Sequence, residues 1–297
     1  YHQENEFSRL SESHAVYVLS IIYEDNTSKC RRDFMRIKLR GMCRHELMRV
    51  MCSWRFYISL LIYISIVFIA GHMDVVKNSA AESMLIVVTG VSNFDVVLFL
   101  TASFPFACSF CDDWNDRYIN SVIIRSNVIS YAAAKMVVCA LTSFAVSFVG
   151  LNVSTGIWAI RYGCDIQRTY GMEISKGRQF YDIAASSFPY MVIIVKTVCF
   201  SLATSAYASI AFAISSIIPN SFVAVTLPLM VVIIIRNFFG FLPGALKLPA
   251  IQGASGAYGT STSVMLIMSL MVVIGYIVLA GCVFYRFVKR RVGNEII

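Results

Sequence analysis

The sequence predicts an all-α integral membrane protein: six transmembrane helices preceded by an amphipathic helix in the membrane interface. Three observations carry this expectation. Of the 297 residues, 58% are hydrophobic and the mean hydropathy is positive, more apolar matter than a soluble domain of this size can hide. Apolar runs near twenty residues recur along the chain, the length that crosses a hydrocarbon layer ~30 Å thick. Six such runs leave no room for a second globular domain of ordinary size. Lastly, the 25 Lys and Arg crowd the two ends, with ten before Phe56 and four, Arg286, Lys289, Arg290 and Arg291, after the last apolar run. Basic flanks place both termini in the cytoplasm, which requires an even number of crossings of the cell membrane. Arg161, Arg168, Lys176 and Arg178 run against this bias, in a loop that the topology puts outside together with Asp165, Glu173 and Asp182. The net charge of +8 sits at the ends and does not point to nucleic acid.

The elements follow in order. Residues 1–33 form a polar segment of unassigned status; the run from Ala15 to Tyr23 is too short to span and lacks the flanks of a cleavable signal. The chain opens on Tyr1, and Met35 is a candidate for the natural start. Residues 34–53 read as the amphipathic helix. Arg36, Arg40 and Arg44 recur every four residues, while Leu39, Cys43, Leu47, Val50 and Trp54 mark another face. Such a helix lays its apolar side on acyl chains and its arginines on lipid phosphates, so membrane lipid is its partner. His45-Glu46 begins like a zinc-protease motif, but Arg49 stands where the second His belongs.

The transmembrane domain, 54–291, is expected to hold spans at 54–71, 83–107, 127–151, 188–218, 221–239 and 264–285, with 292–297 as a cytoplasmic tail. Trp54, Phe56 and Tyr57 anchor the first span at the interface. Residues 152–187 read as a long outer segment with Trp158, Tyr162, Tyr170 and Tyr181 among charges, a candidate contact for an external molecule; Asn152-Val153-Ser154 fits a glycosylation sequon. Pro228 is expected to kink the fifth span. The Gly-, Pro- and Ser-rich stretch 240–263 is too apolar for a simple water-exposed loop and predicts short helices dipping back into the outer leaflet against protein.

Two groups of residues are candidates for function. Between the second and third spans, Asp112, Asp113, Trp114, Asp116 and Arg117 open a polar stretch that runs to Arg125. A short amphipathic helix there would dock a soluble partner; an ordinary polar loop is the alternative. Inside the spans lie Asp95, Lys135 and Lys196. A charge at the bilayer centre costs roughly 2.5–3.5 kcal/mol on insertion scales, so each should face protein or water. Asp95 can reach the depth of Lys135 or Lys196, so a pair with either is one reading, and the other is that Lys135 snorkels to the interface alone.

Other chemistries lack parts. Nine Cys are scattered through apolar runs, and Cys108-x-x-Cys111 stands without a second pair, so no metal site is expected. Gly253-Ala254-Ser255-Gly256 resembles an intramembrane-protease nucleophile, but His2, His14, His45 and His72 all fall outside the spans and no base is at hand. There is no GxxxxGK[ST] and no Gly-Lys dipeptide. No catalytic residue is therefore expected in this chain, and any ATP hydrolysis belongs to another subunit.

The order of elements resembles the ABC-2 type permeases, the membrane subunits of ABC exporters. The local likeness lies in Glu46-Leu47-Met48-Arg49-Val50 through Trp54-Arg55-Phe56-Tyr57, and in Asp112 to Lys135, with its acidic loop, Arg125, Ser130-Tyr131 and Lys135. The polar segment before Met35 and the doubled Asp112-Asp113 depart from the family pattern, which more often has one acid there and a Gly nearby. The resemblance implies a coupling helix at Asp112 to Ser121 seated on a separate ATP-binding cassette subunit that holds ATP and Mg. Asp112, Asp113 and Arg117 would make its charged contacts and Trp114 its buried anchor. It also implies a second permease subunit, identical or related, and an amphipathic cargo such as an antimicrobial peptide, a drug or a lipid-linked molecule. Two other readings stay open: a gradient-driven secondary transporter or channel using Asp95, Lys135 and Lys196, and a membrane partner that transports nothing.

Overall fold

The computed structural model describes residues 39–75, 94–119, 122, 127–162, 191–253 and 261–295. All regular structure among them is helical. Helix α1, Leu39–Met51, turns at Cys52-Ser53 through 61° into α2, Trp54–Val75. Ser53 makes the corner by capping: its Oγ accepts the Arg55 backbone N–H at 3.3 Å, satisfying one orphan donor of the new helix. On α1, Arg40 and Arg44 are exposed, but so is Leu47 of the expected apolar face; Leu39 and Cys43 are half-buried, and the buried residues are Val50 and the acid Glu46. Trp54 is exposed at the corner, and Arg36 lies outside the described residues.

Helix α3, Phe94–Ala107, is separated by Cys108 alone from α4, Ser109–Asn115. The second apolar element therefore continues past its expected end at 107 and carries Asp112 to Asn115 on its last turns. Buried Phe106, Ala107, Phe110 and Cys111 extend the apolar face through the break, which is why the acids do not end the helix. Helix α5, Val128–Tyr162, likewise runs beyond its expected end at 151. Asn152, Ser154 and Thr155 look like loop residues but bond the carbonyls of Phe148, Gly150 and Leu151 one turn back, and buried Trp158 packs on Phe68. The Asn152 amide that a sequon would modify also approaches Thr197 Oγ1 at 3.3 Å, so the triplet sits in a packed helix rather than on a loop.

Helices α6, Met191–Ser215, and α7, Ser221–Phe238, follow, with Pro228 inside α7. Two single 3-10 turns, Phe239–Phe241 and Gly244–Leu246, lead to α8, Leu248–Gln252. Short helical pieces thus occupy the described part of 240–263, and Leu248, Ile251 and Gln252 are buried where α8 packs on α6. Helix α9, Thr262–Glu295, takes in the basic residues expected to follow the last span, because buried Val288 and Val292 keep its inner face apolar. Arg291 donates to the Ile217 carbonyl in the α6–α7 turn.

Five of these helical stretches are long and apolar enough to cross a membrane, and the bent pair α1–α2 makes a sixth if it counts as one span. That is consistent with a multi-pass membrane protein. Helix α6 is the hub, packed against α3, α5, α7, α8 and α9. Its buried face is mostly small: Ser201, Ala203, Ser205, Ala206, Ala208, Ser209, Ala211 and Ala213, residues that let helix backbones approach closely. Thr204, Ser205 and Ser209 return their hydroxyls to carbonyls of their own helix, so polarity there needs no outside partner. Aromatic contacts tie the hub to its neighbours: Phe99 with Phe200 at 5.2 Å, Phe106 with Phe212 at 5.1 Å, and Phe284 with both Phe212 and Phe110.

A glycine sets the contact of α5 with α2. A Cβ built at Gly150 on α5 would lie 2.4 Å from Cδ1 of the buried Tyr63 ring on α2, and that ring is too enclosed to swing away. Gly150→Ala should therefore destabilise the protein by about 1–3 kcal/mol, the usual cost of overpacking. Thermal unfolding in detergent checks this: the melting point should fall and be largely restored by adding Tyr63→Leu, whereas an unchanged melting point would mean that the helices part without cost.

A buried ionic cluster joining three helices

Three helices each contribute a pair of polar side chains one turn apart, a spacing that puts both on one face. Helix α1 brings Glu46 and Arg49, α4 brings Ser109 and Asp113, and α5 brings Tyr131 and Lys135. They meet around the Lys135 ammonium, whose side chain is completely buried. Its Nζ donates to Glu46 Oε2 at 2.8 Å and to Ser109 Oγ at 2.6 Å, and lies 2.8 Å from Asp113 Oδ2. An ammonium has three donors, and three acceptors surround this one. The same Asp113 oxygen accepts the Tyr131 hydroxyl at 3.0 Å, while Oδ1 accepts Arg49 Nη1 at 2.7 Å. The rings of Phe106 and Tyr131 stand 5.3 and 5.7 Å from the ammonium.

Formally the cluster holds two cations and two carboxylates and is neutral. Neutrality and the engagement of every Lys135 donor allow Lys135, Glu46 and Asp113 to stay charged out of water, while Arg49, 40% exposed, closes the cluster from outside; an isolated charge at Lys135 would be far costlier. The surrounding phenylalanines exclude solvent, and the ring faces add an attraction to the cation.

Around this interior lies a second, exposed layer. Arg55, just past the α1–α2 corner, pairs with Asp112 at 2.8 Å, so the two adjacent acids face different cations. Trp114 is half-buried, stacked on Phe110 at 6.2 Å and covered by the Arg291 guanidinium at 5.2 Å. Asn115, Asp116 and Arg117 are exposed. Arg117 has φ 53°, the left-handed region that favours glycine, and its N–H returns to the Trp114 carbonyl as α4 ends.

The expected partner of Lys135 is thereby corrected. Asp95 sits at the beginning of α3, and Asp113 lies eighteen residues further along nearly continuous helix, ~27 Å at ideal rise. A lysine in contact with Asp113 cannot also reach Asp95, whose side chain lies outside the described residues. Snorkelling is overturned too, since the Lys135 ammonium ends in a protein pocket. Lys196 is half-buried on α6, away from the cluster. Asp113, expected to face a partner, instead points inward and is 1% exposed. The expected set omitted Glu46, Arg49, Ser109, Tyr131, Arg55 and Arg291. One signal was available: Glu46 is the one acid in α1, three residues before an arginine.

Among the described residues no group of His, Cys, Asp or Glu is placed to hold a metal ion. The chain matches no family model, no curated protein and no solved structure.

Lys135→Met would strand two buried carboxylates, a change expected to cost about 3–5 kcal/mol. Adding Asp113→Asn should recover part of that loss, a coupling of about 0.5–3 kcal/mol between contacting residues, while Asp95→Asn should combine additively with Lys135→Met. A double-mutant cycle on detergent-solubilised protein measures both. Coupling to Asp95 larger than to Asp113 would contradict this arrangement.

Proposed function

We propose that this chain is the membrane subunit of an ATP-driven exporter of the ABC-2 type, working beside a separate ATPase that carries ATP and Mg. Its place would be the cell membrane, with six crossings, α1 in the interface and both termini in the cytoplasm. The supporting observation is the ionic cluster. Within the two stretches that carry the resemblance to that family, Glu46, Arg49, Asp113, Tyr131 and Lys135 meet in it, although the doubled acid to which Asp113 belongs departs from the family pattern. A force on the exposed end of α4 would pass through Asp113 directly to α1 and α5, without relying on a loop. Asp113 is then the inner fastening of the coupling element, and Trp114, Asp116 and Arg117 are its outer face. Asp112 is shared, bonded to Arg55 yet partly exposed. A paired permease subunit and an amphipathic cargo belong to the same reading.

A gradient-driven carrier is favoured by one feature, two carboxylates and a lysine inside a helical bundle, the kind of group that relays protons. Against it, every donor of the lysine is engaged in a neutral cluster.

Full-length protein extracted in mild detergent is expected to bring a P-loop ATPase with it. Asp116→Lys combined with Arg117→Glu should abolish that co-purification while elution and melting of the membrane subunit stay unchanged, because both side chains are exposed. If no ATPase accompanies the wild type, and uptake into vesicles collapses with an ionophore rather than with ATP depletion, the carrier reading replaces this one.

A further inference from the structure

A cavity of about 380 Å³ lies between α6, α7, α8 and α9, within the usual small-ligand range of ~300–1,000 Å³. Its wall is aliphatic and elongated along two helices. Ile210 and Ile214, one turn apart, supply it from α6, and Val231, Ile234 and Ile235 from α7. Two cations, Arg236 at the end of α7 and Lys247 just before α8, are among its described lining residues, and none of those residues is acidic. Arg236 is oriented by Gln252, whose Oε1 accepts its Nη2 at 3.0 Å, and the Tyr276 hydroxyl is committed to the Leu246 carbonyl at 2.9 Å. A Cβ placed at Gly240, on the lining, would meet nothing within 4 Å, so the space there is open. The neighbouring surface of α7 is itself apolar and exposed at Met230, Ile233 and Phe238, so the cavity adjoins a face suited to hydrocarbon.

We propose that this cavity binds an amphiphile with one hydrocarbon chain and an anionic head, the chain along the isoleucines of α6 and α7 and the head between Arg236 and Lys247. The chemistry follows from the lining. An apolar slot accepts hydrocarbon, and the two cations in its lining, Arg236 held by Gln252 and Lys247, favour a carboxylate or phosphate over a neutral or cationic head. The volume admits one chain and its head better than a two-chain phospholipid. The site needs no ATPase and stands or falls independently of the exporter reading.

The test uses the full chain purified in a neutral detergent, titrated with dodecanoate, lauroyl lysophosphatidylglycerol, dodecanol and dodecyltrimethylammonium. Binding is read by native mass spectrometry and by the shift in melting temperature. At least one of the two anions should bind once per chain, and the neutral and cationic probes should not. Preference between the two anions tells a free acid from a lysolipid as the natural source. Lys247→Gln should weaken the anion about tenfold, the loss expected for one charge-assisted hydrogen bond. Ile234→Trp should fill the slot and abolish binding, while Met230→Trp, on the exposed face, should leave it unchanged. Should Ile234→Trp lower the melting point of the free protein, Lys247→Gln decides alone. Equal binding of dodecanol and dodecanoate, no binding of either anion, or an undiminished anion affinity in Lys247→Gln would overturn the proposal.

Discussion

The structure turns on one lysine that is not allowed to reach water. Lys135 ends beside the rings of Phe106 and Tyr131, and its charge is tolerable only because α1 and α4 deliver a carboxylate each and Ser109 a hydroxyl. Beside the cluster, Val50 and Met42 also pack α1 on the apolar core, while Arg40, Arg44, Leu47 and Met48 are exposed. A hydrophobic contact would hold these helices together in many registers. A three-way hydrogen-bonded charge holds them in one, the specificity that buried polar groups impose even where they add little net stability.

The rest of the packing is complementary to this. Along α6, Thr204, Ser205 and Ser209 satisfy themselves by bonding their own helix, and the neighbouring helices meet a surface of small side chains. Polarity is thus turned inward over that part of the hub and directional at the cluster. Ring contacts lie on both stretches of the hub: Phe200 meets Phe99, and nearer the cluster Phe212 meets Phe106 and Phe284, the latter in turn touching Phe110.

How much of this was legible in the sequence depends on which physical scale the signal lived on. Long apolar runs report burial of whole helices, and α2, α6 and α7 fall close to where hydropathy puts them. Helix ends were misjudged wherever a polar residue was taken for a boundary. Asn152, Ser154, Asp112 and Asp113 all continue helices, since local back-bonding or an ion pair removes the cost that would have ended them. The importance of Lys135 could be read, but its partners could not. Glu46 and Asp113 are 89 and 22 residues away from it in the chain, and only the packing of three helices decides that they meet. Charge inside an apolar run announces that a partner exists without saying where.

The length of α9 has a mechanical consequence. Thirty-four residues make a rod ~51 Å long, well beyond a hydrocarbon layer of ~30 Å. The surplus carries Arg286, Lys289, Arg290 and Arg291, and the last of these grips both the α6–α7 turn and the Trp114 ring. The far end of the rod is thereby fastened to the same short helix that carries Asp113, so a tilt of α9 cannot leave that helix unmoved.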